Sequence, residues 1–411
     1  MPTPSRAPRR RALAAVAAAA LGLTGCSVAA AATPAPATAA PAAGNDAAAV
    51  LSPIAVFPLA PAAPVLGADN LVHLAYELVI ANQSASTVTL TSVSTLDAGH
   101  GDAVVTTVEG PALAAALRPS GPGTGTALAP GGSGYLFLDA TLAADAPVPT
   151  GLRHHFAMTL TGSGAAQQVA FGGVPVTVSP QEAVEVAPPL RGGGWIVGNG
   201  CCVLNAHRGA TLSIDGTVHV AERFAIDFVQ VDAAGHLYTG DPAATASWPY
   251  FGDDILSVAD GTVVSTQDGQ PEQVPGALPA GQTVQTAGGN NVVVDIGDGR
   301  FAFYAHLQPG SLTVHPGDHV RTGDVLGKLG NTGNTDAPHL HFHVMDGPSP
   351  LLSNSLPYVF TAFTGQGRAT GEEALAPPFA PVAATVAVDP AALAGAHHRQ
   401  LPLNLQVVDF G

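Results

Sequence analysis

An all-β chain with two cores is the fold class this sequence predicts, and three observations carry that reading. Residues 50–185 alternate short β-rich runs with Gly/Pro turns and show no helical periodicity. The stretch Pro188-Pro189-Leu190-Arg191-Gly192-Gly193-Gly194 breaks the pattern and marks a boundary. At 411 residues the chain has room for a second core beyond it.

In chain order, Arg6, Arg9, Arg10 and Arg11 precede an apolar run from Ala12 to Leu23. A basic start and a short apolar core make an export signal, too short for a spanning helix. Arg9-Arg10-Arg11-Ala12-Leu13 hints at twin-arginine export. Leu23-Thr24-Gly25-Cys26 resembles the bacterial lipobox, which implies lipidation of Cys26 and a membrane anchor. The alternative is an ordinary cleaved signal with an incidental cysteine. Ala, Pro and Thr dominate residues 27–49, as in a disordered tether.

Residues 50–187 read as an antiparallel β-sandwich, immunoglobulin-like, from runs such as Leu71–Ile80, Thr87–Val93, Gly134–Asp139 and His155–Leu160. Residues 195–363 form the second domain. The stretch 364–399 has little pattern and reads as a loop or insertion, and 400–411 returns to a strand that pairs back onto a sheet. Lys328 is the single lysine and the formal net charge is -16, so a phosphate-binding surface and a nucleic-acid role are excluded.

The chemistry concentrates in Pro338-His339-Leu340-His341-Phe342-His343. In a strand, His339 and His341 point the same way, roughly 7 Å apart. Tyr304-Ala305-His306 and Phe224-Ala225-Ile226-Asp227 add an imidazole and a carboxylate, both usual zinc ligand types. A zinc-dependent hydrolase follows as the first hypothesis.

From about Gly252 to Tyr358 the chain resembles the lysostaphin/LytM-type zinc endopeptidases, which cut peptide bonds in bacterial peptidoglycan. The resemblance rests on Ala259-Asp260-Gly261-Thr262-Val263-Val264, Asn291-Val292-Val293-Val294-Asp295, Tyr304-Ala305-His306-Leu307, Val320–Gly327, Gly330-Asn331-Thr332-Gly333 and His339-Leu340-His341-Phe342, in the family's order. It implies a LytM-like antiparallel β-sheet peptidase fold, Zn2+ held by Asp227 and His341, and His306 and His339 moving protons or steadying the oxyanion. Stem or cross-bridge peptides of peptidoglycan would be the substrate, and an envelope protein a further partner.

One position departs from the pattern. The family's first ligand, a histidine four residues before the aspartate, is Arg223 here, and a guanidinium has no lone pair for zinc. Without a substitute, the domain would be a degenerate, metal-free binder or regulator of other wall hydrolases. His207 is the candidate substitute. A hairpin turning at Asp215-Gly216 brings it opposite residues 223–225, and a one-residue difference in register decides whether it faces Asp227. The other reading makes His207 a hydrogen-bonded strand-end residue and Arg223 a partner of Asp227 or of a substrate carboxylate.

Tyr304, on the strand face of His306, is either an oxyanion donor or a packing residue. His343 is either a support behind His341 or a solvent-facing side chain. The pairs His154-His155 and His397-His398 read as surface residues. Adjacent Cys201 and Cys202 form a vicinal disulfide, ligate zinc or remain two buried thiols.

Overall fold

The computed structural model describes residues 50–411, apart from 121–124, 372, 374, 378 and 381–384. The export signal, Cys26 and the 27–49 tether lie outside the described residues. Among the described residues no helix is long and apolar enough to cross a membrane.

The first part of the described chain folds as β1 (Ile54–Pro58), β2 (Ala63–Leu66), β3 (Leu71–Asn82), β4 (Thr87–Asp97), β5 (Ala103–Glu109), β6 (Leu117–Ser120), β7 (Ala127–Leu128), β8 (Ser133–Ala143), β9 (Gly151–Thr161) and β10 (Gln167–Thr177). One sheet runs β1-β3-β8-β6, with β2 beside β1 on the same edge of β3. The other runs β10-β9-β4-β5, with β7 also on β4. All pairings are antiparallel, and the facing sides share one apolar core that includes Tyr76, Leu78, Val93, Leu136 and Phe156. This is a two-sheet sandwich.

Strand β3 is buried along both faces, which explains why it reads as a nearly continuous apolar run. Leu74, Tyr76, Leu78 and Ile80 enter the sandwich core. The alternate side chains His73, Ala75 and Glu77 turn outward, and Ala75 joins Ala63 and Val65 in the second core. β3 is therefore a wall shared by both cores.

The remainder comprises β11 (Val184–Val186), β12 (Trp195–Gly198), β13 (Thr211–Ile214), β14 (Thr217–Val220), β15 (Ile226–Gln230), β16 (Asp254–Leu256), β17 (Gly261–Gln267), β18 (Asn290–Asp295), β19 (Phe301–Leu307), β20 (His319–Val320), β21 (Val325–Lys328), β22 (Leu340–Met345), β23 (Ser355–Leu356), β24 (Tyr358–Ala369), β25 (Val388–Asp389), β26 (Gly395–Gln400) and β27 (Gln406–Asp409). The large sheet runs β11-β24-β27-β12-β15-β22-β19-β18-β17-β20.

Two boundaries are corrected. β11 precedes residue 187, yet it pairs in parallel with β24 and belongs to the large sheet, not the sandwich. Residues 364–399 are no single loop: β24 runs on to Ala369 and β26 occupies Gly395–Gln400. Distant partners impose these strands, because β24 pairs with both β26 and β27, which outweighs the weak local preference of its Thr- and Gly-rich end. The two histidine pairs are corrected in part. His154 is fully buried between the Tyr76 hydroxyl and the Val174 carbonyl, and His397 is buried against Gln400.

Candidate metal centre

Strand pairing places the central residues. Asp227 on β15 lies directly opposite His341 on β22, which in turn opposes Ala305 on β19. Leu340, Phe342 and Val344 point into the main core, so His341 and His343 must take the opposite face. Ile226 and Phe228 anchor β15 in the same core and turn Asp227 toward His341.

His306 reaches that face by a different route. Simple alternation would put it beside Tyr304, inside the core. Two residues of β19, Ala305 and His306, instead oppose Asn291 alone on β18, a bulge that shifts the phase. His306 adopts φ +67°, and its side chain joins the cleft while Tyr304 and Leu307 stay buried in the core. Sharing a face with Tyr304 is therefore corrected. Tyr304 is fully buried in the core, away from the cleft, with its hydroxyl accepting the Val258 N–H at 2.8 Å, so it packs. His306 is fixed by its Nδ1–H, which donates to the Thr332 carbonyl at 2.7 Å. That carbonyl is held where Gly289 and Gly333 approach closely. Both have positive φ, and a Cβ on Gly289 would lie 2.1 Å from the Thr332 oxygen.

His207 arrives from the loop after β12. The Asp215-Gly216 turn has two residues, both with positive φ, and pairs Ile214 with Thr217. A ladder continued in that register would set His207 opposite Phe224, facing away from Asp227. The ladder, however, ends at Thr211 and Val220, and residues 205–209 curl into a turn, so strand register never reaches His207. Its Nε2 lies 3.1 Å from Asp227 Oδ2, and its Nδ1 faces the carbonyls of Asn199 and Ala225 at 3.1 Å each.

Four polar groups converge on Asp227. Besides His207, His341 Nδ1 lies 3.0 Å and His339 Nε2 3.2 Å from Oδ1, and the Asn199 amide donates to Oδ2 at 2.9 Å. The ligand-type atoms of His207, Asp227 and His341 all lie within 4.8 Å of one another. His339 Nδ1–H donates to the Ala337 carbonyl at 2.8 Å. The rings of His306 and His339 have centroids 4.6 Å apart. Behind His341, its Nε2 lies 3.0 Å from His343 Nδ1, and His343 is fully buried, so a solvent-facing His343 is corrected.

This donor set fits a divalent cation. With Nδ1–H engaged by a backbone carbonyl, His207 turns an Nε2 lone pair toward a carboxylate oxygen, and two lone pairs at 3.1 Å need a proton or a metal between them. Burial pushes the His207 imidazole down, but Asp227 outweighs it and lifts the group to about 9. His339 is likewise pushed down by burial and raised overall by Asp227. Burial alone would raise Asp227; His207 and His339 hold it well below the carboxylate range. His306 has no carboxylate partner at hydrogen-bond distance, and burial, followed by His339 and His341, drives it well below the usual imidazole range. It stays neutral.

Arg223 takes no part. Residues 222–225 form a turn ahead of β15, and the Arg223 guanidinium binds Glu77 on β3 at 2.5 and 3.0 Å, buried. Pairing with Asp227 or with a substrate carboxylate is therefore corrected. Cys201 and Cys202 are joined as a disulfide, which removes both as ligands. Sequence reasoning missed Asn199 and Thr332. Asn199 between two glycines, with φ +52°, was the available signal for a turn that aims an amide at the site.

The cluster lies at the base of a cleft of about 880 Å³, whose walls include Leu212, Leu278, Val284, Leu351 and Leu352. Among the described residues, Asp227, Glu222 and Asp336 line it, with no lysine or arginine.

Residues 248–352 match the model of peptidase family M23. This region is a peptidase domain of the lysostaphin/LytM type. Lysostaphin of Staphylococcus simulans is 33% identical over 101 residues, covering 23% of this chain and 20% of that protein. The cell division protein DipM of Caulobacter vibrioides is 33% identical over 114 residues, covering 25% and 18%. The chain thus spans about a fifth of the length of the curated relatives it matches. The catalytic domain of the antimicrobial peptidase lysostaphin from S. simulans aligns over 35% of this chain and 80% of its own, at 23% identity and a TM-score of 0.22. The M23 match begins after Asp227, so His207, Arg223 and Asp227 all precede it.

Proposed function

We propose that this chain is an exported, zinc-dependent endopeptidase that hydrolyses peptide bonds in bacterial peptidoglycan, tethered to a membrane through a lipid on Cys26. The observation that carries the reading is the convergence of His207, Asp227 and His341 within 4.8 Å at the base of a cleft. Asp227, His341 and His207 would hold the metal. Zinc supplies, when bound, Lewis acidity toward a peptide carbonyl and an acidified water.

The chain's own residues do the rest. His306 and His339 each have Nδ1 tied to a backbone carbonyl, which leaves Nε2 of His306 for the cleft and sets Nε2 of His339 beside Asp227 Oδ1 at 3.2 Å. His306 Nε2 takes a proton at the reacting centre, and the neighbouring His339 holds one at Nε2 for delivery to the leaving amine. His343 keeps the His341 ring in its orientation. The acidic lining favours an uncharged or amine-bearing peptide over one with a carboxylate at the scissile bond. The metal-free alternative drew its support from Arg223, which Glu77 engages while three ligand-type groups still meet at Asp227.

The test is digestion of purified peptidoglycan with the zinc-supplemented chain, following new free amino termini. Release by the parent, abolished by chelation and by Asp227→Ala, is expected. No release by a zinc-loaded parent would overturn the reading.

A further inference from the structure

The sandwich contacts the metal centre through a buried cluster of charges. Glu77 is fully buried on the outward face of β3. Its Oε1 accepts from Arg208 at 2.8 Å, and its Oε2 accepts from Arg223 at 2.5 and 3.0 Å. Burial pushes the Glu77 carboxyl up, but Arg223 and Arg208 outweigh it and hold the group below its usual range. Arg208 also donates to the carbonyls of Tyr76 and Leu138, both on sandwich strands. Arg118 on β6 donates to the Gly209 carbonyl and the Thr211 hydroxyl.

These contacts fall on two short turns. Arg208 sits in the turn 205–209, next to His207, and Arg223 sits in the turn 222–225, just ahead of Asp227. One carboxylate therefore ties together the two turns whose relative placement sets the distance between His207 and Asp227. The link is closed by His207 itself, whose Nδ1 meets the Ala225 carbonyl in the second turn.

We propose that the N-terminal sandwich is a working part of the metal centre, with Glu77 as its positioning residue. Glu77 never touches the metal or the substrate; it fixes the turn that carries His207. This rests on the zinc reading above. The position at which the family keeps a ligand has become a docking arginine, and the ligand has moved to a loop that the sandwich holds in place.

The experiment compares residues 27–411 with two variants, reading zinc affinity by competition with a chromophoric chelator and hydrogen exchange of residues 199–211. Glu77→Gln leaves two buried guanidiniums without their carboxylate and can cost folding, as a broken buried ion pair does. The deciding variant therefore replaces the whole triad by apolar groups, Glu77→Leu, Arg208→Met and Arg223→Met, which such clusters tolerate. The triple variant should unfold near the parent temperature, bind zinc about 10- to 100-fold more weakly, the range for losing an outer-shell support, and exchange faster at residues 199–211. Parent-like zinc affinity and exchange in the folded triple variant would overturn the proposal. If the parent itself binds no zinc, the peptidase reading fails separately, and unchanged exchange at 199–211 would still overturn the positioning role.

Discussion

Among the described residues, two imidazole–carboxylate clusters bring three ligand-type side chains together, with imidazole and carboxylate in opposite proportion. In one, His73 lies between two carboxylates, with Nδ1 2.8 Å from Asp139 and Nε2 3.2 Å from Asp69, and Cys202 nearby. In the other, one carboxylate, Asp227, meets His207, His339 and His341. Proximity alone would nominate both for a metal, since each brings three ligand-type atoms within 4.8 Å. The ratio separates them. Both nitrogens of His73 face carboxylates, which leaves no lone pair for a metal, and Cys202 is tied up in its disulfide; burial pushes the imidazole down, but Asp139 and Asp69 raise it to about 9. Around Asp227, three imidazoles share one carboxylate. The first cluster acts as an ion-pair lock, and the second is the one proposed to hold a cation.

Breaking the second cluster should have the larger consequences. Asp227→Ala removes the only carboxylate among the three proposed ligands, so zinc affinity should fall by more than about 100-fold, beyond the loss for an outer-shell partner. Equilibrium dialysis against buffered zinc checks this, and a variant that still holds zinc at parental affinity would dissolve the distinction between the clusters. His306→Ala should leave zinc content at the parental level and slow cleavage by roughly 10²- to 10⁴-fold, the usual share of a general acid–base group. Zinc loss in that variant would move His306 from proton handling to metal binding.

The first cluster should respond through stability and not through zinc. Because the His73 pKa is raised, its stabilisation is fully present below about pH 6.5 and is lost as pH rises through about 9. A shift of this size corresponds to at most about 3.5 kcal/mol. Chemical unfolding of His73→Gln should show lower stability at pH 6, a flatter profile from pH 6.5 to 9.5, and unchanged zinc content. Parallel pH profiles for variant and parent would mean that His73 does not titrate in this window.

How much of this was legible depended on the range of the interactions. The shared face of His341 and His343 follows from strand periodicity, because the core takes Leu340, Phe342 and Val344. The rotation of His306 was hidden, since the bulge that reverses its face arises from pairing with β18 and leaves no local signal beyond His306 itself. His207 could be nominated by residue type, but its route could not be read, because the hairpin ladder stops short and a turn completes the approach. The fate of Arg223 was hidden most deeply. Its partner Glu77 lies 146 residues earlier, on a strand whose apolar pattern gives no warning of a buried carboxylate. The whole-chain class was plain for the opposite reason: turn residues and short β-rich runs recur throughout.

The most direct measurement is zinc stoichiometry of purified residues 27–411 and of His207→Ala, by mass spectrometry of the metal after dialysis against a weak chelator. A site rebuilt around His207 requires close to one zinc per chain in the parent and loss of that zinc in the variant, with both proteins folded. Zinc retained by His207→Ala at parental level, or a folded parent that takes up none, would contradict it.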